Sequence, residues 1–501
     1  MEVLSEHAQQ RRVGLRYWMQ RVLREARLAA RDASPEVVHD LRVALRRCRS
    51  MAAGLAQVDS DRSWDEMRRA SRKLFRRLGE LRDLQVLQEW VTRLADEGDP
   101  VRQALTELFS AREPELKDEV AKALEAFDRR QWLLWSRALP ERARRLAPDG
   151  LVAQHLALES WEQARALHRR ALRNRSPASW HELRIGVKRF RYTVENFLPE
   201  RHEAWGADLK RIQDLLGEVH DLDVLAETLP ETGPVYDDAA AARWHAAIER
   251  ERTSRLDEYR ARMAGRNSLW SVWRAGLPEG ERLEAAALAK LTQWAAGLDP
   301  DTAHSRQVAR IALELFDGLA AAGFNGTLGH PRARVLLHAA ALLHNTGRAE
   351  AAKGHHKAAY RLISRLAPPL GWSKEEIERV AVIARYHCGT EPRQKHRAYG
   401  ALEPDGRSVV RTLAGVLRIA DALDEAHDGA VRRVEVRSSA EYLLIRAAGW
   451  QETEQTAGTL GGRKHLLEAA LGRPIIVRSA PVRDATVLTR MAPRGVAVVA
   501  D

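Results

Sequence analysis

One histidine and three cations recur in the same spacing at two places in the chain. His39-Asp-Leu-Arg42-Val-Ala-Leu-Arg46-Arg47-Cys48-Arg49-Ser50 returns as His181-Glu-Leu-Arg184-Ile-Gly-Val-Lys188-Arg189-Phe190-Arg191-Tyr192. In a helix these offsets of 3, 7 and 10 from the histidine fall within an arc of about 80°. The opposite face carries Leu41, Leu45 and Cys48 in the first copy and Leu183, Val187 and Phe190 in the second, so both segments are expected to be amphipathic helices in one register. A solvated helix face normally alternates charge signs at i, i+4, whereas stacked like charges repel by a few tenths of a kcal/mol per pair. The chemistry this predicts is anion binding.

The elements that position these faces belong to a longer repeat. Arg72-Lys73-Leu-Phe-Arg76-Arg77-Leu78-Gly79-Glu80-Leu-Arg-Asp83 aligns without a gap on Lys210-Arg211-Ile-Gln-Asp-Leu-Leu216-Gly217-Glu218-Val-His-Asp221, and Trp135 to Pro140 corresponds to Trp273 to Pro278. Such self-similarity predicts two homologous units, about 1–147 and 148–280. Turn signals at Asp32-Ala33-Ser34-Pro35, Glu97-Gly98-Asp99-Pro100, Pro148-Asp149-Gly150, Ser176-Pro177 and Thr232-Gly233-Pro234 divide each unit into about four helices. In the first unit these are expected at 5–31, 35–57, 62–97 and 100–137, the third broken near Gly79. Short connections imply two antiparallel four-helix bundles.

The chain has 501 residues, 81 Lys+Arg against 69 Asp+Glu and a net charge of +12. That length accommodates several domains, and the charge favours anionic partners without choosing among them. Two cysteines, Cys48 and Cys388, form no CxxC and no Cys/His run with zinc spacing, which points to a reducing compartment. The N-terminus has no signal-peptide pattern and no apolar run reaches membrane-spanning length. A cytoplasmic protein without membrane association is expected.

The two His-x-x-Arg phrases, their basic continuations and the Leu-Gly-Glu-x-x-Asp motifs at 78–83 and 216–221 resemble the CHAD domain, the conserved-histidine α-helical domain, over residues 1–280. The resemblance implies two four-helix bundles related by pseudo-two-fold symmetry, with basic helices lining a groove, and inorganic polyphosphate as partner. It implicates His39, Arg42, Arg46, Arg49, His181, Arg184, Lys188 and Arg191 in binding, with Lys73, Arg76, Arg77, Lys210 and Arg211 as flanking cations. Nucleic acid is disfavoured because the basic face lacks interleaved aromatics for base stacking.

Beyond residue 280 the basic repeats stop and histidines become dense: His304, Leu337-His338 through His344-Asn345-Thr-Gly347, Gly354-His355-His356-Lys357, Arg385-Tyr386-His387 and Arg418-Ile-Ala-Asp421-Ala-Leu-Asp424. Helices are expected at 304–321, 332–345, 355–366, 373–387 and 407–425. Val431–Val436, Tyr442–Ile445 and Pro474–Val477 read as strands around a helix at 462–471. The fold class expected is mainly α, with a helical domain at 281–430 and a small α+β appendage at 431–501.

The histidine-rich segment resembles an HD phosphohydrolase domain, in particular the C-terminal region of the exopolyphosphatase and guanosine-pentaphosphate phosphohydrolase family. The resemblance implies one divalent metal ion held by His304, His344 and Asp421, with Asn345 standing where those enzymes have the aspartate of the His-Asp pair. An amide brings no charge to a cation, so His355, His356 and His387 are further candidate ligands. No actin-like nucleotide-binding half accompanies this region. These features favour a polyphosphate-binding protein with a degenerate HD-like accessory domain, associated with polyphosphate granules. The alternative is a metal-dependent phosphohydrolase acting on polyphosphate or nucleotides.

Overall fold

The computed structural model describes residues 14–481 apart from Ala33 and Ala352. The start of the helix expected at 5–31 and the end of the expected 431–501 appendage lie outside the described residues. The chain forms two compact units, one within residues 1–294 and one within 295–501.

The first repeat contains α1 (Leu15–Ala29), α2 (Pro35–Leu55), α3 (Ser63–Ala70), α4 (Arg72–Leu94), α5 (Pro100–Glu125) and α6 (Arg129–Ala143). The second contains α7 (Leu151–Asn174), α8 (Pro177–Phe197), α9 (Pro199–Thr228), α10 (Asp238–Met263) and α11 (Leu269–Ala275), with a 3-10 turn at Leu229–Val235. Proline at the first helical position starts α2, α5, α8 and α9, where its missing N–H costs nothing. Asp99 and Ser176 cap α5 and α8 by accepting backbone N–H bonds, which satisfies donors that each helix start would otherwise leave open.

Packing repeats as the sequence does. In the first half α1 lies on α2 and α6, α2 on α4, and α4 on α5; in the second α7 lies on α8 and α11, α8 on α9, and α9 on α10. The halves join through α2 against α8 and α4 against α9. The sequence-equivalent Leu84/Leu222 and Leu87/Leu225 share one core with Trp90, Phe109 and Trp244. At the α2–α8 crossing a Cβ on Gly54 would overlap the Phe197 ring. A further helix, α12 (Gly280–Ala295), is tied to α7 by Lys290–Glu159 at 2.6 Å and by Arg282 to Gln154 at 2.9 Å. The first unit therefore runs past the composition change near 280.

Gly79 does not break its helix. The interruption falls at Ser71, between α3 and α4, and α4 runs straight through Gly79. Leu74, Leu78, Leu81 and Leu84 are all buried, and their burial outweighs the roughly 1 kcal/mol that glycine costs in a helix interior. The glycine instead admits Arg42, whose Nη1 lies 3.0 Å from where a Cβ would stand.

The second unit contains α13 (Thr302–Ala321), α14 (Asn325–Leu328), α15 (Ala333–Leu343), a 3-10 turn (Thr346–Ala349), α16 (His355–Ile363), α17 (Lys374–Arg385), α18 (Arg397–Gly400) and α19 (Pro404–Leu423). These are followed by β1 (Arg433–Ser438), β2 (Leu443–Ala448), α20 (Glu454–Leu471) and β3 (Ile475–Ala480). α19 is the central element, packed on α13, α15, α17 and α20 and buried from Val409 through Ala420 except at Arg411. Gly415 lets α20 approach, since a Cβ there would meet the Leu467 backbone at 2.9 Å. β1 pairs antiparallel with β2, placing Val436 opposite Ile445, and β2 pairs parallel with β3 across α20, placing Ile445 opposite Val477. The protein is mainly α with a small α+β appendage, and no helix among the described residues is long and apolar enough to cross a membrane.

Candidate anion cavity and histidine cluster

The α2–α8 and α4–α9 junctions enclose a cavity of about 180 Å³ lined by His39, Arg42, Arg46, Arg82, Asp83, Arg184 and Asp221. Lys188 lies beside it, half-buried, in the field of Arg184, Arg42 and Arg46. Burial first, and then these three guanidinium groups, lower its ammonium from the usual value to about 7, against the pull of Asp83. The cations at sequence-equivalent positions 46 and 188 thus converge at the junction of the repeats. Arg42 has only a loose ion pair, 3.8 Å from Asp83, and burial lowers its pKa too. The Nε atoms of Arg46, Arg184 and Arg191 are buried with no hydrogen-bond partner. Clustering uncompensated charge away from water is unfavourable, and an anion in the cavity would offset that cost.

The expected residues separate into distinct groups. His39, Arg42, Arg46 and Arg184 line the cavity, with Lys188 adjoining. Arg49 turns away: it donates to the Arg68 carbonyl and to Ser71 Oγ at 2.9 Å, holding the α3–α4 corner. Burial, with Arg68 and Arg72 nearby, lowers its pKa to about 10. Arg191 lies over the Tyr192 ring at 5.7 Å. The flanking cations mostly have acidic partners: Arg76 with Glu80 at 3.7 Å, Arg77 with Glu119 at 2.9 Å, Lys210 with Asp214 at 2.8 Å and Arg211 with Glu258. Lys73 is exposed. His181 reaches His220, Nδ1 to Nδ1 at 3.3 Å, and burial with the Arg184 charge holds His220 down to about 4.

Arg82, Asp83, His220 and Asp221 joined the site without being singled out from the sequence. Their signal was present, since 82/220 and 83/221 are equivalent positions at the ends of the two Leu-Gly-Glu-x-x-Asp motifs. Burial raises Asp221 to about 6, helped by Asp83 and opposed by Arg184 and Lys188. Nearby aromatic rings are covered by the protein's own arginines: Phe75 by Arg42 and Arg49, each at 5.2 Å, and Tyr192 by Arg46 at 5.3 Å.

In the second unit His304, His344 and Asp421 come together with ligand atoms within 4.8 Å of one another. His304 Nε2 lies 3.4 Å and His344 Nε2 3.5 Å from Asp421 Oδ1. Each imidazole is oriented through its other nitrogen, His304 Nδ1 bonding Asp424 at 2.7 Å and His344 Nδ1 the Ala341 carbonyl at 2.6 Å. The second bond follows from the local helix, because His344 ends α15 three residues after Ala341. The carbonyl can only accept, so Nδ1 is the donor there and Nε2, buried, is the nitrogen that faces the Asp421 carboxylate. A divalent cation fits that donor set, with carboxylate and carbonyl partners behind the imidazoles. Burial works against His304 carrying charge, yet Asp421 and Asp424 raise it to about 9. Asp421, although buried, is held well below the ordinary carboxylate range by His304 and His344.

Asn345 is buried, with Oδ1 accepting from Arg348 Nε at 2.9 Å and Nδ2 without a partner. His355 and His387 also meet, Nε2 to Nε2 at 3.2 Å, and Cys388 Sγ lies 3.9 Å from His355 Nε2. The fold thus brings Cys388 into a Cys/His group that its linear spacing did not reveal. His356 lies outside that ligand group, and burial with Arg385 nearby holds it down to about 4.

Gly347 lets the start of α16 seat closely on the 3-10 turn after Asn345, because a Cβ there would collide with the His355 carbonyl and the Ala359 amide nitrogen. Backbone cannot yield as a side-chain tip can. Gly347→Ala is expected to cost about 2–4 kcal/mol through overpacking. A thermal melt of the second unit that is unchanged from wild type would contradict this.

Residues 15–230 match the family model of the CHAD domain, and residues 289–456 match that of the Ppx/GppA phosphatase, domain III. The chain thus carries a CHAD domain followed by a Ppx/GppA domain III. Among solved structures it is similar to the crystal structure of the CHAD domain from the plant Ricinus communis, with 25% identity and a TM-score of 0.34, over 52% of this chain and 88% of that one. No curated protein matches.

Proposed function

We propose that this protein binds inorganic polyphosphate at the junction of its two CHAD repeats, in a cytoplasmic setting that includes polyphosphate granules. The observation that carries this is the convergence of Arg42, Arg46, Arg184 and Lys188 on one cavity, whose acidic lining residues are Asp83 and Asp221. Polyphosphate carries about one charge per phosphate and has no base to recognise, so a fixed set of cations suffices. Arginine adds planar paired donors to phosphate oxygens. Both matched families fit a polyphosphate-related protein. Phe75 and Tyr192 lie under the cavity's own Arg42 and Arg46, which leaves little for stacking bases and supports polyphosphate over nucleic acid.

The experiment is a titration of the full-length protein with polyphosphate at several salt concentrations. Neutralising several phosphates releases counterions, so log K should fall linearly with log salt with a slope of several. Bound phosphate should also recharge Lys188, so affinity should fall as pH rises above about 7, by no more than about tenfold per unit. Salt-independent binding, or equal competition from single-stranded DNA, would count against the proposal.

A second reading rests on the His304–His344–Asp421 geometry. It is metal binding in the HD-like domain and, as the alternative function, metal-dependent hydrolysis of polyphosphate or nucleotides. His304, His344 and Asp421 would hold the ion, which would supply an activated water. The uncharged Asn345, held by Arg348, weakens that set and favours the binding function. Hydrolysis at enzymatic rates that is lost in His344→Ala would reverse the preference.

A further inference from the structure

The two repeats differ on the side that their first helices turn away from the core. At the offset that relates His39 to His181, the buried residues Leu15, Met19 and Val22 of α1 correspond to the buried Ala157, Trp161 and Ala164 of α7, so both helices sit in one register. His155 and Glu159 project from the opposite side of α7. His155 is nevertheless fully buried, on the side where α12 is tied down by Lys290 to Glu159 at 2.6 Å and by Arg282 to Gln154 at 2.9 Å. The second repeat thus carries a helix on the outward side of its first helix.

In the first repeat the equivalent side is open. Tyr17 stands where Glu159 stands in the second and is 41% exposed, and Gln20 and Arg24, one and two turns further on, are exposed as well. α6 lies antiparallel beside α1, since Arg16 reaches Glu141 at 2.6 Å while the Met19 carbonyl accepts from Trp132 Nε1 at 3.0 Å. The outward stripe of α6 is Arg130, Leu133, Leu134, Arg137 and Glu141, within an arc of about 100°. Of the eight exposed large apolar side chains among the described residues, Tyr17, Leu28, Leu133 and Leu134 belong to this helix pair, and Leu134 at 57% is the most exposed of all. On α7 and α11 there is one, Val272, at the position equivalent to Leu134.

We propose that this α1–α6 face is a docking surface for an amphipathic helix of a partner protein, one that carries acidic residues along its flanks. It is separate from the inter-repeat cavity and does not rest on the polyphosphate reading. A helix is the occupant because the second repeat already holds one in the equivalent place, and because two packed helices leave a groove that the ridge of a third can fill. α12 shows the pattern required: Ala287 and Leu291 are buried beside Lys290, which pairs with Glu159. On the first repeat the charges are reversed. Arg27, Arg130 and Arg137 are exposed and have no ion pair among the described residues, and Glu141 is already shared by Arg16 and Arg144. Acidic flanks complement that rim, whereas a second copy of the same face would set arginine against arginine. Tyrosine and arginine around an apolar centre are also the side chains that most often anchor an interface.

The test titrates the full-length protein into a fluorescein-labelled synthetic helix with leucines at i, i+3, i+4 and i+7 and glutamates flanking them, and into its counterpart with lysines in place of the glutamates. Anisotropy should rise saturably with the glutamate peptide, and the lysine peptide should bind at least about tenfold more weakly. Leu134→Ser with Arg137→Ala should weaken the glutamate peptide by at least about tenfold with an unchanged thermal melt, since both side chains are exposed. Val272→Ser, at the equivalent position of the second repeat, should alter the affinity by less than about twofold. Failure of the glutamate peptide to bind, equal binding of the two peptides, or an unaltered affinity in the Leu134/Arg137 variant would each overturn the proposal. Sedimentation reads the other occupants. A wild-type dimer that the same variant dissociates would assign the face to a second copy, and co-sedimentation with phosphatidylglycerol vesicles that the variant loses would assign it to a lipid surface; either result would overturn the helix partner.

Discussion

Replacing Arg46 and Lys188 together by alanine is expected to weaken polyphosphate binding by about 10²–10⁴-fold, on the basis that a hydrogen bond to a charged group contributes roughly 1.5–3 kcal/mol. The two positions are equivalent in the repeat and converge beside one cavity. Within a partly desolvated pocket each is screened less than a surface charge. The control is Arg129→Ala with Arg144→Ala, which removes the same charge from exposed positions. Exposed pairs contribute about 0–1 kcal/mol, so that variant should lose less than about tenfold. Equal losses would show that the chain attracts polyphosphate through bulk charge alone.

The second large effect belongs to Asp421, which faces the Nε2 atoms of His304 and His344. Asp421→Asn should weaken divalent-metal binding at that position by at least about 100-fold, because it removes the only carboxylate in the triad and leaves two imidazoles. Asn345→Asp is expected to act oppositely, adding a negative charge beside His344 and raising affinity. Arg348, which now bonds the Asn345 oxygen at 2.9 Å, would pair with that new carboxylate and limit the gain. Calorimetric titration with manganese and zinc reads both variants. Unaltered affinity in Asp421→Asn would remove the metal assignment, and lower affinity in Asn345→Asp would show that the position does not address the ion.

Much of this arrangement was legible in the sequence, for identifiable reasons. The two His-x-x-Arg phrases announced equivalent helices because amphipathic register and charge repeat together, and the C-terminal strands because short β-branched runs sit between turns. The expected break at Gly79 fails for a tertiary reason: the leucines around it are plain in the sequence, but the buried face that carries α4 through exists only in the packed fold. Arg49 shares its helical arc with Arg42 and Arg46, yet its guanidinium finds Ser71 and the Arg68 carbonyl, acceptors made available by a corner that no local pattern predicts. Cys388 and His355 are far apart in sequence, so their meeting depends on α16 and the end of α17 packing together. Asp83 and Asp221 were visible within their motifs, but their approach to one another is a property of the α4–α9 junction.

The same field that makes Lys188 a candidate ligand also makes it the most direct reporter. An amine lowered to about 7 is largely unprotonated slightly above neutral pH, and so reacts with acylating reagents faster than ordinary lysines, whose ammonium form persists to about 10.4. Lysine acylation of the full-length protein near pH 8, with and without polyphosphate, compares Lys188 with Lys73 and Lys210 by peptide mass spectrometry. The expected result is rapid modification of Lys188 in the free protein and strong protection by polyphosphate, with markedly weaker protection at Lys73 and Lys210. Protection of all three to the same degree, or of Lys73 and Lys210 while Lys188 stays reactive, would place the polymer elsewhere and contradict binding at the inter-repeat cavity.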